Sequence, residues 1–126
     1  MGHVYLGRSP GRRLVAVKVV HDWYARDPGF RERFAREVAA ARSVNGMYTA
    51  HVVEADTEAA VPWMATRYIE GPTLQDAVGQ DGPLPTVPLL ELAAGIAEAL
   101  TDIHGCDLVH RDLKPSDVLL GAEGPL

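Results

Sequence analysis

The sequence predicts an α+β fold in which a small antiparallel sheet with one helix is followed by a helical half. Two observations support this class. Before residue 70, short runs rich in valine and other strand formers alternate with turn signals, and one long amphipathic segment interrupts them. After residue 71 the apolar residues recur at helical spacing, and the Gly71-Pro72 pair marks the change.

Two strands are predicted near the start, at VYLGRS and LVAVKVV, and the Pro-Gly pair of RSPGRR joins them. Alternation along the second strand divides its side chains between two faces, with Val15, Val17 and Val19 on one and Ala16, Lys18 and Val20 on the other. A lysine in so apolar a strand is unexpected, because an unpaired buried charge is costly. Lys18 is therefore expected to have a partner, unless its stem reaches the surface by itself.

A helix is predicted over DPGFRERFAREVAAARSV, with Asp27-Pro28 as its start signal and Asn45-Gly46 as its stop. Its apolar positions form one stripe, made of Phe30, Phe34, Val38 and Ala41. Glu37 borders that stripe. The surface positions are mostly arginine and glutamate, and they are expected to be solvated.

Further strands are predicted at HVVEADTE and VPWMATRYI, and a short helix at TLQDAVGQ, where Thr73 is the candidate N-cap. A long helix follows over PLLELAAGIAEALTDIHG and ends at Gly105. Its apolar stripe has no visible cover within the 126 residues, so the isolated chain is expected to be marginally stable and sticky. A fifth short strand is predicted at DVLL.

Composition is that of an ordinary globular domain, with 47% apolar and 23% charged residues. The single cysteine, Cys106, excludes an intrachain disulfide and favours a reducing, cytoplasmic setting. No stretch has the pattern of a signal peptide or a membrane-spanning helix. The net charge is −5, but most basic residues precede residue 43. Without interleaved aromatic residues, they indicate a solvated face and not a nucleic-acid partner.

The run HRDLKPSD places an acid, Asp112, and a base, Lys114, two residues apart in a predicted loop, and a second acid, Asp117, follows. Such a loop can hold a catalytic carboxylate near a transferred group, a lysine to neutralise charge and a carboxylate for a metal ion. Taken alone, the pair favours the simpler interpretation of a loop salt bridge with a cap.

The complete string resembles the catalytic loop of the eukaryotic-type serine/threonine protein kinases, H-R-D-L-x-x-x-N. VAVK is similar to the family's V-A-I-K, which implies that Lys18 binds the phosphates of ATP, with Glu37 as its partner, and that Ala16 touches the adenine. MGHVYLG is similar to the second half of the Gly-rich loop. There the resemblance implies Gly2 as the third glycine and Val4 over the adenine.

MATRYIEGPTL resembles the segment that joins the two lobes of a kinase. The resemblance implies that Thr66 is the gatekeeper, and that the Arg67 carbonyl and the Ile69 N–H contact the adenine. It divides the chain into an N-lobe over residues 1–69, which lacks the first strand, and the start of a C-lobe over residues 70–126.

The catalytic roles follow from the same resemblance. Asp112 would orient the substrate hydroxyl and accept its proton, and Lys114 would neutralise the γ-phosphate. His110 and Arg111 would be structural. Asp117 stands where the family has asparagine, a ligand of the second Mg²⁺, so it keeps an oxygen ligand and adds a negative charge.

The resemblance thus implies an ATP-dependent protein serine/threonine kinase, with ATP and Mg²⁺ as cofactors and protein serine or threonine hydroxyls as substrates. Its composition resembles that of bacterial members, many of which have a membrane span beyond the kinase domain. The family's D-F-G element is expected soon after residue 126, so the chain is expected to be a fragment that is inactive alone.

Two other functions stay open. A truncated remnant or pseudokinase would only bind a nucleotide or a partner, although the four intact residues Lys18, Glu37, Asp112 and Lys114 argue against decay. A small-molecule phosphotransferase of kinase-like fold is the third possibility. Such enzymes typically have glycine at the position of Arg111 and lack the Lys114-Pro115 pair.

Overall fold

The computed structural model describes residues 2–44, 46–121 and 124–125. Asn45, half of the predicted helix stop signal, lies outside these ranges. The chain forms two compact units. The first consists of Met1–Ser43 and Ala50–Tyr68, and the second of Val44–Thr49 and Ile69–Leu126.

A four-stranded antiparallel sheet forms most of the first unit. Its strands are β1 (Gly2–Arg8), β2 (Leu14–Val20), β3 (Val52–Asp56) and β4 (Trp63–Arg67), in the spatial order β1-β2-β4-β3. The four strands predicted before residue 70 are confirmed, with shifts of one or two residues at their ends. β2 is central and β1 is an edge strand, which explains why the valine-rich strand is the more buried of the two.

Helix α2 (Pro28–Ser43) packs its apolar stripe against one face of this sheet. Phe30, Phe34 and Val38 are each at most 6% exposed and form a core cluster with Val20 of β2. A one-turn helix, α1 (Asp22–Ala25), precedes α2 and was not predicted. Four residues are too few for a helical period to appear in the sequence.

Arg31 lies on the same helix and corrects the prediction that its charged residues are only solvated. Its guanidinium donates to the carbonyl oxygens of Ala25 and Ala60 at 3.2 Å, and to those of Thr57 and Ala59 at 3.2 and 2.7 Å. Carbonyl groups of the β3–β4 connection cannot pair within a strand, and the planar fork of arginine satisfies several of them at once. Arg31 therefore ties α2 to this connection.

The second unit contains helices α3 (Leu74–Asp81) and α4 (Thr86–Gly105), a 3₁₀ turn at Pro115–Asp117, and a ribbon of β5 (Leu120–Gly121) and β6 (Gly124–Pro125). The predicted cap of α3 is confirmed, because the Thr73 hydroxyl accepts the Asp76 N–H at 3.1 Å. The strand predicted at DVLL begins only at Leu120, and Leu119 makes a single antiparallel bridge to Thr73.

Helix α4 carries the longest apolar stripe of the chain and is covered only in part. Leu92 is 8% exposed, whereas Leu89 and Leu90 are 49% and 63% exposed. An apolar hollow of about 540 Å³ lies beside Leu92, between α3 and α4. The prediction of an uncovered stripe therefore holds for the start of this helix. None of the described helices combines the length and hydropathy that a bilayer crossing requires.

Candidate active site

One face of the sheet collects the strand residues predicted to bind a nucleotide, apart from Arg67, which is predicted to bind through its backbone carbonyl. In the β1–β2 register Val4 is opposite Lys18, and in the β2–β4 register Ala16 is opposite Thr66. Opposed residues of an antiparallel pair project to the same side, and residues two apart on one strand do so as well. Gly2, Val4, Ala16, Lys18 and Thr66 therefore share one face, which is also the face that carries Val20 toward α2.

The opposite face is lined by the three valines of β2. Val15, Val17 and Val19 border a hollow of about 320 Å³ together with Trp63 and Ala65. The predicted division of β2 into two faces is thus confirmed, and it leaves Lys18 on the face of α2. Lys18 is half-buried there, in agreement with a lysine whose stem packs while its amine stays accessible.

The ion pair implied for Lys18 and Glu37 is not formed in this structure. Among the described residues, neither side chain makes an ion pair. Glu37 is exposed, one position before the buried Val38, so its carboxylate is at the solvated edge of α2. An exposed carboxylate is already solvated by water and gains little from an exposed or half-exposed lysine. The sequence pattern identifies both residues but does not determine the distance between the Lys18 amine and the Glu37 carboxylate.

From Arg67, the last residue of β4, to Ile69, the backbone N–H groups differ in their hydrogen-bond partners. The Arg67 N–H donates to the His51 carbonyl at 3.0 Å, and the Tyr68 N–H donates to the Leu14 carbonyl at 3.3 Å. Within the described part of the chain, the Ile69 N–H donates no hydrogen bond. Ile69 thus has a donor that a ligand can use, as the resemblance implies for this position.

In the second unit, the predicted catalytic loop brings its acid and base together. Lys114 Nζ lies 3.0 Å from Asp112 Oδ2, both as a hydrogen bond and as an ion pair. The two side chains are 53% and 80% exposed respectively, so both remain open to a substrate. The hydrogen bond from Lys114 to Asp112, and the negative charges of Asp112 and Asp117, raise the pKa of Lys114 above its ordinary value.

The backbone of this loop is unusual at Arg111, immediately before the acid. Arg111 has φ 72°, in the left-handed region that residues other than glycine rarely adopt. Such a conformation costs free energy and persists where the surrounding structure imposes it. Nothing in the residue type predicts it, although the resemblance gives Arg111 a structural role.

Asp117 ends the 3₁₀ turn and stabilises it. Its Oδ2 atom accepts the Lys114 N–H at 3.3 Å, and the Asp117 N–H donates to the Lys114 carbonyl at 2.8 Å. Its other carboxylate oxygen accepts no hydrogen bond from the described residues. Mg²⁺ prefers carboxylate oxygens and commonly takes only one or two from a protein, so this donor fits it. The described residues hold no cluster of three or more metal-ligating side chains.

The loop is anchored behind the turn. The Leu74 N–H donates to the Val118 carbonyl at 2.8 Å, and the Leu120 N–H donates to the Pro72 carbonyl at 2.9 Å. Val118 is 5% exposed and fixes this segment in the core of the second unit. Two backbone bonds and one buried side chain thus hold the end of the loop.

The description "Protein kinase domain" belongs to a family model that matches residues 1–126. The chain belongs to the protein kinase family. The resemblance of VHRDLKPSDVLL to a catalytic loop is thereby confirmed at the level of the family. Kinases of this family use ATP and Mg²⁺.

Curated kinases with high similarity come from actinobacteria. The chain is 58% identical over 125 residues to the serine/threonine-protein kinase AfsK of Streptomyces griseus, covering 99% of this chain and 16% of AfsK. It is 57% identical to the probable serine/threonine-protein kinase PkwA of Thermomonospora curvata, covering 99% of this chain and 17% of PkwA. The chain thus spans about a sixth of these kinases.

Solved kinase structures confirm the fold class. The crystal structure of the PknI kinase domain of Mycobacterium tuberculosis matches with a TM-score of 0.85 and 31% identity. The match covers 100% of this chain and 51% of that structure. The predicted α+β, kinase-like and incomplete fold is therefore correct, since the chain corresponds to half of a solved kinase domain.

Sequence reasoning missed one structural residue of this kinase chain and one backbone feature. Arg31 looked like a surface residue because no sequence signal identifies carbonyl groups from a distant connection as its partners. The left-handed backbone of Arg111 also has no sequence signal, because arginine is not favoured there. The Arg31 contacts and the Arg111 backbone conformation both depend on packing between segments that are distant in the sequence.

Proposed function

We propose that the chain is part of an ATP-dependent protein serine/threonine kinase, and that it supplies the nucleotide-binding sheet and the catalytic loop. The observation that supports this most is the Lys114–Asp112 pair at 3.0 Å, in a loop whose turn Asp117 caps. Asp112 is held by Lys114 but remains 80% exposed, as a carboxylate that must contact a substrate requires.

The second unit would carry out the proton and phosphoryl chemistry. Asp112 accepts a hydrogen bond from a serine or threonine hydroxyl and takes its proton as the oxygen attacks the γ-phosphorus. The new O–P bond forms as the bond between the γ-phosphorus and the bridging oxygen breaks, and ADP leaves with that oxygen. Lys114 neutralises charge on the transferred group, and its raised pKa keeps it protonated for that role.

The first unit would bind the nucleotide. Lys18 holds the phosphates. Gly2, Val4 and Ala16 provide an apolar surface on which the adenine base can lie close to the strand backbone. Thr66 lies opposite Ala16 on the neighbouring strand and limits the depth of the adenine site. The resemblance gives the Arg67 carbonyl as a polar contact to the adenine edge, and it gives the same role to the N–H of Ile69, the residue with which the second unit resumes. Glu37 orients Lys18 when a nucleotide is bound.

Asp117 would contribute one oxygen to Mg²⁺, with the nucleotide phosphates and water as the other ligands. The ion supplies positive charge to the phosphates. The substrate class is protein serine or threonine, in keeping with the similarity to AfsK and PkwA, which are described as serine/threonine-protein kinases. We place the catalytic part in the cytoplasm, where ATP and a reduced Cys106 are both expected.

A nucleic-acid partner is not proposed, because two of the basic side chains of α2 have other roles. Arg31 binds four carbonyl groups, and the Arg33 guanidinium lies 6.0 Å from the centre of the Phe30 ring. A binding-only pseudokinase is the second candidate function. It is favoured by the lack of a Lys18–Glu37 ion pair among the described residues, since active kinases have this pair in place.

The experiment that separates the two functions is phosphoryl transfer by the natural protein that contains this chain. It is incubated with Mg²⁺, [γ-³²P]ATP and a generic basic protein, in parallel with a Lys18→Met variant. Label on serine or threonine that depends on Lys18 supports the kinase. Binding of ADP without any transfer would support the pseudokinase and reject the proposed reaction.

A further inference from the structure

Two histidines meet at the edge of the sheet in the first unit. His3 lies on β1 and His21 directly follows β2. Their ring centroids are 4.7 Å apart, with the ring planes at 89°. His3 is opposite Val19 in the strand register, so His21 is its diagonal neighbour, two residues further along. The strand pairing itself therefore brings the two imidazoles together.

This pair lies on the face of the sheet that the proposed nucleotide site does not use. His3 shares its side with Val19, whereas Val4 and Lys18 project from the other side. None of the roles assigned to the kinase loop or to the adenine surface involves either histidine. The pair therefore needs an explanation of its own.

The spacing of the rings fits two ligands of one cation. A tetrahedral ion about 2.0–2.1 Å from one nitrogen of each ring would place the ring centroids about 5 Å apart. The observed separation of 4.7 Å is close to this value. Imidazole is the side chain that Zn²⁺ and its neighbours in the first transition row bind most often. We propose that His3 and His21 together bind a divalent transition-metal cation, for which Zn²⁺ is the probe.

Trp23 holds one of the two ligands in place. The rings of His21 and Trp23 stack with centroids 4.4 Å apart and planes at 15°. Stacking restricts rotation of the imidazole, so less side-chain entropy is lost when the metal binds. His3 is exposed, so a cation can reach its ring from solvent. Trp23 stacks on His21, so its indole can serve as a sensor of the neighbouring ring.

Water completes the coordination. Among the described residues no third histidine, cysteine or carboxylate joins the pair in a metal-binding cluster. The site therefore resembles the open zinc sites that keep positions for water, and its affinity is expected to be modest. The bound cation would join the first residues of β1, an edge strand, to the end of β2.

Isothermal titration of Zn²⁺ into the natural protein tests the proposal. We expect a Zn²⁺ site that depends on both histidines, with a loss of affinity of about tenfold or more at that site in both His3→Ala and His21→Ala. The double variant should be no weaker than the single ones, because one remaining imidazole cannot chelate. His104→Ala is the matched control, since His104 is an exposed histidine in the last turn of α4. Its affinity for Zn²⁺ should equal that of the unchanged protein.

Equal binding by the unchanged protein and both single variants would mean an adventitious ion only, and would overturn the proposal. Trp23 fluorescence provides a second measurement, because it should change with Zn²⁺ in the His104→Ala protein but not in His21→Ala. An unchanged melting temperature without Zn²⁺ shows that each variant still folds. None of these measurements depends on phosphoryl transfer, so the metal site and the proposed kinase reaction can fail separately.

Discussion

Lys114 Nζ and Asp112 Oδ2 are 3.0 Å apart although both side chains are more than half exposed. An exposed ion pair contributes little to stability, because water screens it and two long side chains lose rotamer freedom. The pair is therefore explained by where it holds the Lys114 amine and the Asp112 carboxylate. It keeps an anionic acceptor and a cationic stabiliser together, next to a residue with a left-handed backbone, Arg111.

The first prediction concerns the titration of Lys114. Its pKa is raised by the hydrogen bond to Asp112, and Asp112→Asn should lower it toward the ordinary value of 10.5. The pair stabilises the fold while Lys114 is protonated, below the pKa of the unfolded chain, and that contribution is lost as the pH rises through the folded pKa. ¹⁵Nζ NMR titration measures the shift. An identical titration in both proteins would show that Asp112 is not the cause.

Asp117 has two roles, as the cap of the 3₁₀ turn and as a candidate Mg²⁺ ligand, and one substitution should keep both while another removes both. Asp117→Asn keeps an oxygen that can accept the Lys114 N–H and can bind Mg²⁺, so most phosphoryl transfer should remain. Asp117→Ala removes both, and kcat should fall by about tenfold or more, with a higher requirement for Mg²⁺. The dependence of the rate on Mg²⁺ concentration is the measurement. An alanine variant with an unchanged Mg²⁺ dependence would exclude Asp117 as a ligand.

Arg31 should stabilise the first unit through its four carbonyl contacts. Arg31→Ala is expected to lower the free energy of unfolding by about 1–3 kcal/mol, because hydrogen bonds to a charged group are strong. Arg31→Lys should keep only part of this stabilisation, since an ammonium group cannot form the planar fork of a guanidinium. Arg36→Ala, at an exposed position on the same helix, is the control. Urea unfolding of the three variants gives the comparison, and equal midpoints for Arg31→Ala and Arg36→Ala would contradict it.

Two glycines of the second unit should respond with opposite signs. Gly71 has φ 148°, and a Cβ there would collide with the Leu120 carbonyl, so Gly71→Ala should cost more than about 1 kcal/mol. Gly79 lies inside α3 with nothing within 4 Å of an added Cβ, so Gly79→Ala should stabilise by about 0.5–1 kcal/mol. Thermal unfolding measures both. Stabilisation by Gly71→Ala would refute the close approach of Gly71 to the Leu120 carbonyl.

The sequence predicted most elements, because their signals are local. Leu14–Val20 is a short run rich in β-branched valine that follows a turn signal, and Phe30, Phe34 and Val38 follow the period of a helix. Thr73 was identified as a cap because threonine before a helical run has a known preference. The short helix Asp22–Ala25 was missed because four residues do not show a period.

The sequence names the residues of the candidate site, whereas part of its geometry does not follow from the sequence. The string HRDLKPSD located Asp112 and Lys114, and the structure places them in contact. The same reasoning paired Lys18 with Glu37, and the structure does not form that pair, because the side chain of Glu37 turns to solvent at the edge of α2. Distances between side chains of different elements depend on helix rotation and burial, which no short motif encodes.

The central claim is tested most directly by the rate of phosphoryl transfer from Mg²⁺-ATP to a serine-containing protein, measured for the natural protein and for Asp112→Asn. The asparagine cannot take the hydroxyl proton, so the rate is expected to fall by about 10²–10⁴-fold. Asp107→Asn is the control, because it makes the same change at an exposed residue with φ 59°, a conformation that asparagine tolerates. The account predicts a large loss for Asp112→Asn and none for Asp107→Asn. Equal rates for Asp112→Asn and the unchanged protein would contradict it.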